Sequence, residues 1–157
     1  MRAHLRRPAA ALAIAVFAAT PAVAETVEAC LASTVPTTQL TCLSAVAKEA
    51  SDPRLCLAAT NPGVRWMCVA QVAEASGDAA QCGVLPEAEA ARPRGLSREL
   101  CRGHLAIAWR RPDLCQGLAT PNLADACYLQ LVEAGVDKAL CQRIENAIIK
   151  SACGGDE

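Results

Sequence analysis

The residues of this chain best suited to chemistry are its ten cysteines: Cys30, Cys42, Cys56, Cys68, Cys82, Cys101, Cys115, Cys127, Cys141 and Cys153. Gaps of 11 and 13 residues alternate between them, with one exception of 18 between Cys82 and Cys101. The chain is therefore five copies of one unit, each holding a cysteine pair and recurring every 26 residues, with seven extra residues in the third copy. Thiolates are soft ligands for Cu(I) or zinc, and paired thiols also do redox chemistry. Neither use fits the spacing well. There is no C-x-x-C and no Cys/His cluster at zinc spacing, and the gaps put cysteines in facing pairs, not fours. The reading is five structural disulfides, with Cu(I) handling by reduced cysteines as the alternative.

Other chemistry-bearing residues are sparse. His104 is the one histidine after the first 24 residues, and no Ser-His-Asp set has a supporting spacing. His104 reads as a surface or packing residue, and the chain as neither an enzyme nor a cofactor binder. Arg92, Arg94, Arg98, Arg102, Arg110 and Arg111 fall within 20 residues against one acid, Glu99. Guanidinium groups grip carboxylate or phosphate in bidentate fashion. Arg94, Arg98 and Arg102 are thus the candidate contacts for an acidic protein or an envelope component such as peptidoglycan or lipid phosphate. The same arginines also neutralise acidic neighbouring units. They overlap the extra residues of unit three, between Leu85 and Leu100, where Pro86 to Ser97 is either a tolerated surface insertion or a recognition loop. An inhibitor of a periplasmic enzyme, with that insertion as its inhibitory loop, is a further reading. Trp66 and Trp109 occupy different repeat positions and read as inter-repeat packing residues.

Helices must position these groups. Asp52-Pro53 begins one unit, and Asp78 and Asp137 take the place of Asp52 in others. Aspartate caps free N–H groups, and proline at the first helical position forfeits no bond. Each unit is expected to start a short helix about four residues before its first cysteine. Val35-Pro36, Asn61-Pro62, Thr120-Pro121 and Asn146 signal a second, longer helix. Val64, Cys68, Val72 and Ala73 form its apolar stripe in unit two, as Leu123, Cys127, Leu131 and Val132 do in unit four. No stretch alternates like a strand.

In an antiparallel hairpin, residues nearly equidistant from the turn face each other. This predicts Cys30–Cys42, Cys56–Cys68, Cys82–Cys101, Cys115–Cys127 and Cys141–Cys153. The rival link from Cys68 to Cys82 would be about 9 Å out of step at a rise of about 1.5 Å per residue. The expected fold is all-α: a short α-solenoid of five disulfide-clamped antiparallel helical hairpins, in which neighbours bury a shared core.

Arg2, Arg6 and Arg7, the apolar Ala9–Thr20 stretch and Ala22-Val23-Ala24 read as a signal peptide, residues 1–24. The apolar run is too short for a bilayer span, which needs about 20 residues. Residues 25–157 then form one five-unit domain, with no transmembrane segment after cleavage. An even cysteine count in an exported chain suits a periplasmic or secreted location. That part carries twelve basic and sixteen acidic residues, a formal charge of −4, which argues against general nucleic-acid binding. Its only aromatic residues are Trp66, Trp109 and Tyr128. A core of Ala, Leu and Val suits close helix packing.

The Asp52–Cys56 stretch, with Cys68 and the Val72-Ala73 pair, resembles the units of a loose group of secreted bacterial and archaeal proteins. Those have cysteine-paired helical-hairpin repeats and are mostly of unknown function. The architecture also resembles disulfide-clamped Sel1-like repeats, which have a longer period and closer cysteines. The resemblance implies a scaffold that binds protein or envelope partners, and it brings no catalytic residue.

Overall fold

Proline opens three of the long helices. The computed structural model describes residues 21–86 and 96–154, the side chains of residues 21–25 excepted. Helix α1 (Pro21–Leu31) precedes α2 (Pro36–Glu49) and α3 (Pro62–Ser76); α4 (Leu96–Ala108), α5 (Pro112–Gln116), α6 (Pro121–Glu133) and α7 (Ala147–Gly154) follow. At the start of α3, Asn61 accepts the N–H of Gly63 at 2.8 Å, and before α7 Asn146 accepts that of Ile148 at 3.0 Å. Val35 and Thr120 make no such side-chain bond, so proline alone marks those starts. Among the described residues every regular element is helical.

The short helices differ in type from the sequence reading. Pro53–Ala58, Ala79–Val84 and Lys138–Arg143 are 3₁₀ helices, and α5 has only five residues. Six residues between an aspartate cap and a turn leave little room for i−4 bonds. Bonds three residues apart close the segment instead, as from Leu55 N–H to the Asp52 carbonyl and from Ala59 N–H to the Cys56 carbonyl. The caps themselves are as expected: Asp52, Asp78 and Asp137 accept the N–H of Arg54, Ala80 and Ala139. Arg111 stands at the equivalent place without a side-chain cap. In unit one, α1 runs through the expected cleavage point after Ala24. Residues 1–20 of the expected signal peptide lie outside the described residues.

Four long helices end in one motif. The N–H of Asp52, Asp78 and Arg111 reaches back to the carbonyls of Ala47, Ala73 and Ala106, and that of Val136 to Leu131. This bond needs a left-handed residue just before it. Ser51, Gly77, Arg110 and Gly135 supply φ of 51°, 73°, 54° and 75°. The same left-handed break thereby ends α2, α3, α4 and α6.

Disulfides join the two cysteines of each unit: Cys30–Cys42, Cys56–Cys68, Cys82–Cys101, Cys115–Cys127 and Cys141–Cys153, with Cα separations of 5.4–5.8 Å. The long helices pack in chain order, α2 on α3, α3 on α4, α4 on α6 and α6 on α7. The core divides within α4. Leu105 belongs to an N-terminal cluster with Leu43, Val69 and Leu85, whereas Ala106 belongs to a C-terminal one with Tyr128, Leu131 and Ile144. The partly buried Leu114 packs against both. Trp66 and Trp109 pack against the first cluster, as packing residues should.

Candidate functional site

Units one to three each use a polar side chain to hold their own turn. Three residues before the second cysteine stand Gln39, Arg65 and Arg98. Each donates to the carbonyl three residues after the first cysteine of its unit: Gln39 to Ser33, Arg65 to Ala59, Arg98 to Leu85. One position later stand Leu40, Trp66, Glu99 and Asp125. The two carboxylates bind the turn of the following unit. Glu99 accepts the N–H of Ala119 at 3.3 Å and of Thr120 at 3.1 Å; Asp125 accepts those of Glu145 and Asn146, both at 2.9 Å. Apolar residues hold this position in the first two units and carboxylates in the third and fourth.

These roles divide the arginine cluster. Arg98 is half-buried and engaged with the Leu85 carbonyl, which makes it a turn clamp equivalent to Arg65. Arg102 is exposed, although its repeat position carries buried Leu43, Val69 and Tyr128 in other units. Arg94 lies outside the described residues, with Arg92 and most of the unit-three insertion. Arg111 is paired with Asp113 two residues on, and Arg54 with Asp52 in the matching place, so the same pair occurs with its charges exchanged. Hydrogen bonds from each guanidinium hold its carboxyl below the usual range. Arg143 sits over the Tyr128 ring, 6.0 Å from its centre.

A groove of about 230 Å³ lies between α4 and α6, with Trp66 of α3 in its wall. Leu100, Ile107, Leu118 and Leu123 line it with Gly103 and Ala126. Its polar lining is Glu99, His104 and Gln130. A Cβ on Gly103 would come no nearer than 3.9 Å to Leu118, so the missing side chain is room left open, not a packing need. His104 Nε2 lies 3.0 Å from Glu74 Oε2 and links α4 to α3 at the groove's edge.

Sequence reasoning gave His104 no partner, since Glu74 is 30 residues away. The groove was also missed, because it is built from three units at once. The signal available was Gly103, a glycine inside a helical pattern. All ten cysteines are disulfide-bonded, so none is a thiolate ligand in this structure. Among the described residues, no three His, Cys, Asp or Glu side chains group at metal-binding distance, and no helix is long and apolar enough to cross a membrane. No protein-family profile, curated protein or solved structure matches this chain.

Proposed function

We propose that this chain is an exported, disulfide-clamped helical repeat protein that acts as a binding scaffold for a protein or envelope partner. In this reading residues 1–24 are a signal peptide, and residues 25–157 form one α-solenoid of five antiparallel hairpins in the periplasm or outside the cell. It has the character of the secreted cysteine-paired repeat proteins it resembles. The observation that carries it is the open apolar groove on the long-helix face, floored by Gly103. Glycine inside a helix costs about 0.5–1 kcal/mol relative to alanine. Here that cost comes with an uncovered apolar surface. His104 and Glu74 have the geometry of a base and its orienting carboxylate. Among the described residues, the one hydroxyl- or sulfur-bearing residue lining the groove is Cys127, which is disulfide-bonded. Binding therefore suits the groove better than covalent catalysis.

Capture of envelope components on immobilised protein tests this. Gly103→Leu fills the groove and should release partners that wild type retains, with helical circular dichroism unchanged. Identical retention by the folded variant sinks the reading. A second surface is favoured by one observation, the exposed Arg102 at a position buried elsewhere. With Arg94 it would take an acidic partner, and Arg102→Glu should then release a partner that Gly103→Leu keeps.

A further inference from the structure

We infer that the groove between α4 and α6 receives a basic side chain borne on an apolar polypeptide segment of a partner. This rests on the scaffold reading and adds the chemistry of the ligand. The groove's volume, about 230 Å³, lies below the roughly 300–1,000 Å³ typical of small-molecule pockets. It suits one long side chain with its neighbours. The walls are apolar, from Leu100, Ile107, Leu118 and Leu123.

Charge decides what that side chain carries. Glu99 lines the groove, and Glu74 holds its edge through His104. Arg98 and Arg102 fall on the other side of α4, because Leu100, Gly103 and Ile107 share one face at helical spacing. Among the described residues, no Lys or Arg lines the groove. An acidic segment would thus meet carboxylates, whereas a lysine or arginine meets complementary charge.

Glu99 is also pre-positioned. The N–H groups of Ala119 and Thr120 fix its two oxygens and use two of about four acceptor sites, leaving the others for a ligand. Its side chain needs no ordering when the ligand arrives. Trp66 adds an indole, the ring that best attracts a cation across its face. Lysine and arginine combine an apolar stem with a charged head, which matches an apolar floor with an acidic edge.

The probe is acetyl-Leu-Arg-Leu amide, compared with the Leu-Glu-Leu and Leu-Met-Leu peptides. Binding is read from the amide resonance of Gly103 in wild type, and from Trp66 emission in a Trp109→Phe background. The arginine peptide should saturate both signals, with the glutamate peptide weaker by about tenfold, the scale of one good charge pair. Gly103→Leu should abolish the response. Glu74→Gln should weaken it while leaving the thermal melt in place. Equal binding of the methionine peptide would make the site a general apolar one and overturn the inference. So would preference for glutamate, the absence of any saturable response, or sedimentation showing that a second copy of this chain fills the groove. If Gly103→Leu loses envelope partners while the peptides show no charge preference, the scaffold reading stands and the charge inference fails. If Gly103→Leu keeps every envelope partner yet loses the arginine peptide, the reverse holds.

Discussion

The carboxylate of Asp125 accepts the backbone N–H of Asn146 at 2.9 Å, across 21 residues of sequence. Its other oxygen takes the N–H of Glu145, and the side chain is 3% exposed. Asn146 in turn caps α7. One buried carboxylate thus fixes the turn from which the last helix starts, as Glu99 fixes the turn before α6.

Asp125→Ala would leave two N–H groups unpaired at a partly buried turn. Each costs about 1–3 kcal/mol, so a loss of about 2–4 kcal/mol is expected in urea melts. Asp125→Asn keeps one acceptor and should lose about half of that. A loss under about 0.5 kcal/mol for both variants, the level of an ordinary surface change, would show that the carboxylate does not hold the turn.

Arg98 and Arg102 are one helical turn apart and should behave differently. Arg98→Ala removes a charged donor from the Leu85 carbonyl and should cost about 1.5–3 kcal/mol, with Arg65→Ala similar. Arg102 is exposed, and Arg102→Ala should stay within about 0.5 kcal/mol. Denaturant melts of the three variants check this. Equal small effects would return Arg98 to the surface cluster.

The sequence disclosed the frame of this molecule better than its contacts. Cysteine spacing led to the five pairs because both members sit near one turn, and Asp-Pro and Asn-Pro located the helix starts. Periodicity did not distinguish 3₁₀ from α-helix over six residues such as Pro53–Ala58, where cap and turn decide. It also read Arg98 by its charge alone. Aligning Arg98 with Arg65 and Gln39 on their cysteines exposes a shared place, but its purpose depends on the carbonyls at Leu85, Ala59 and Ser33. The groove was illegible for a stronger reason: Trp66, Gly103 and Leu123 meet only after three units have packed.

Acid should weaken the fold through Asp52. Its side-chain hydrogen bonds with Arg54 lower its pKa in the folded state, with the Arg54 backbone N–H and charge acting the same way. A depressed carboxyl contributes stability above the unfolded value, about 3.9, and loses it as pH falls through the lower folded value. Asp52→Asn keeps an N-cap acceptor and removes only the titrating charge. Its stability should fall less steeply below about pH 4 than that of wild type. The difference should be no more than about 1 kcal/mol, since this ion pair is exposed to solvent. Parallel acid limbs would show that Asp52 is not linked to folding.

Removing a clamp should cost more inside the chain than at its end. Cys56→Ala with Cys68→Ala opens a bond in a unit whose α3 packs against both α2 and α4. The expected loss is about 2–5 kcal/mol. The Cys141–Cys153 pair clamps α7, which packs on α6 and on the 3₁₀ helix before it, and its loss should cost less. Cleavage after Arg65 without reduction should leave two peptides joined through Cys56 and Cys68. Recovery of Cys68 joined to Cys82 would overturn this connectivity.

The left-handed junctions give the last prediction. Arg110 holds φ 54° at the end of α4, where Gly77 holds φ 73° at the end of α3. A residue with a Cβ pays about 1–2 kcal/mol for this conformation, and glycine does not. Gly77→Ala should therefore destabilise by about 1 kcal/mol, although its Cβ would meet nothing within 4 Å. Arg110→Gly should do the opposite, stabilising by up to about 1 kcal/mol after the larger unfolded-state entropy of glycine is offset. The exposed Arg110 side chain has no hydrogen bond or ion pair within the described residues that the change would remove. Opposite shifts in Tm for the two variants would establish that backbone conformation, not side-chain contact, sets these junctions. Destabilisation by Arg110→Gly would mean that the Arg110 side chain supports the start of α5, and unit four would then depend on a contact beyond its backbone motif.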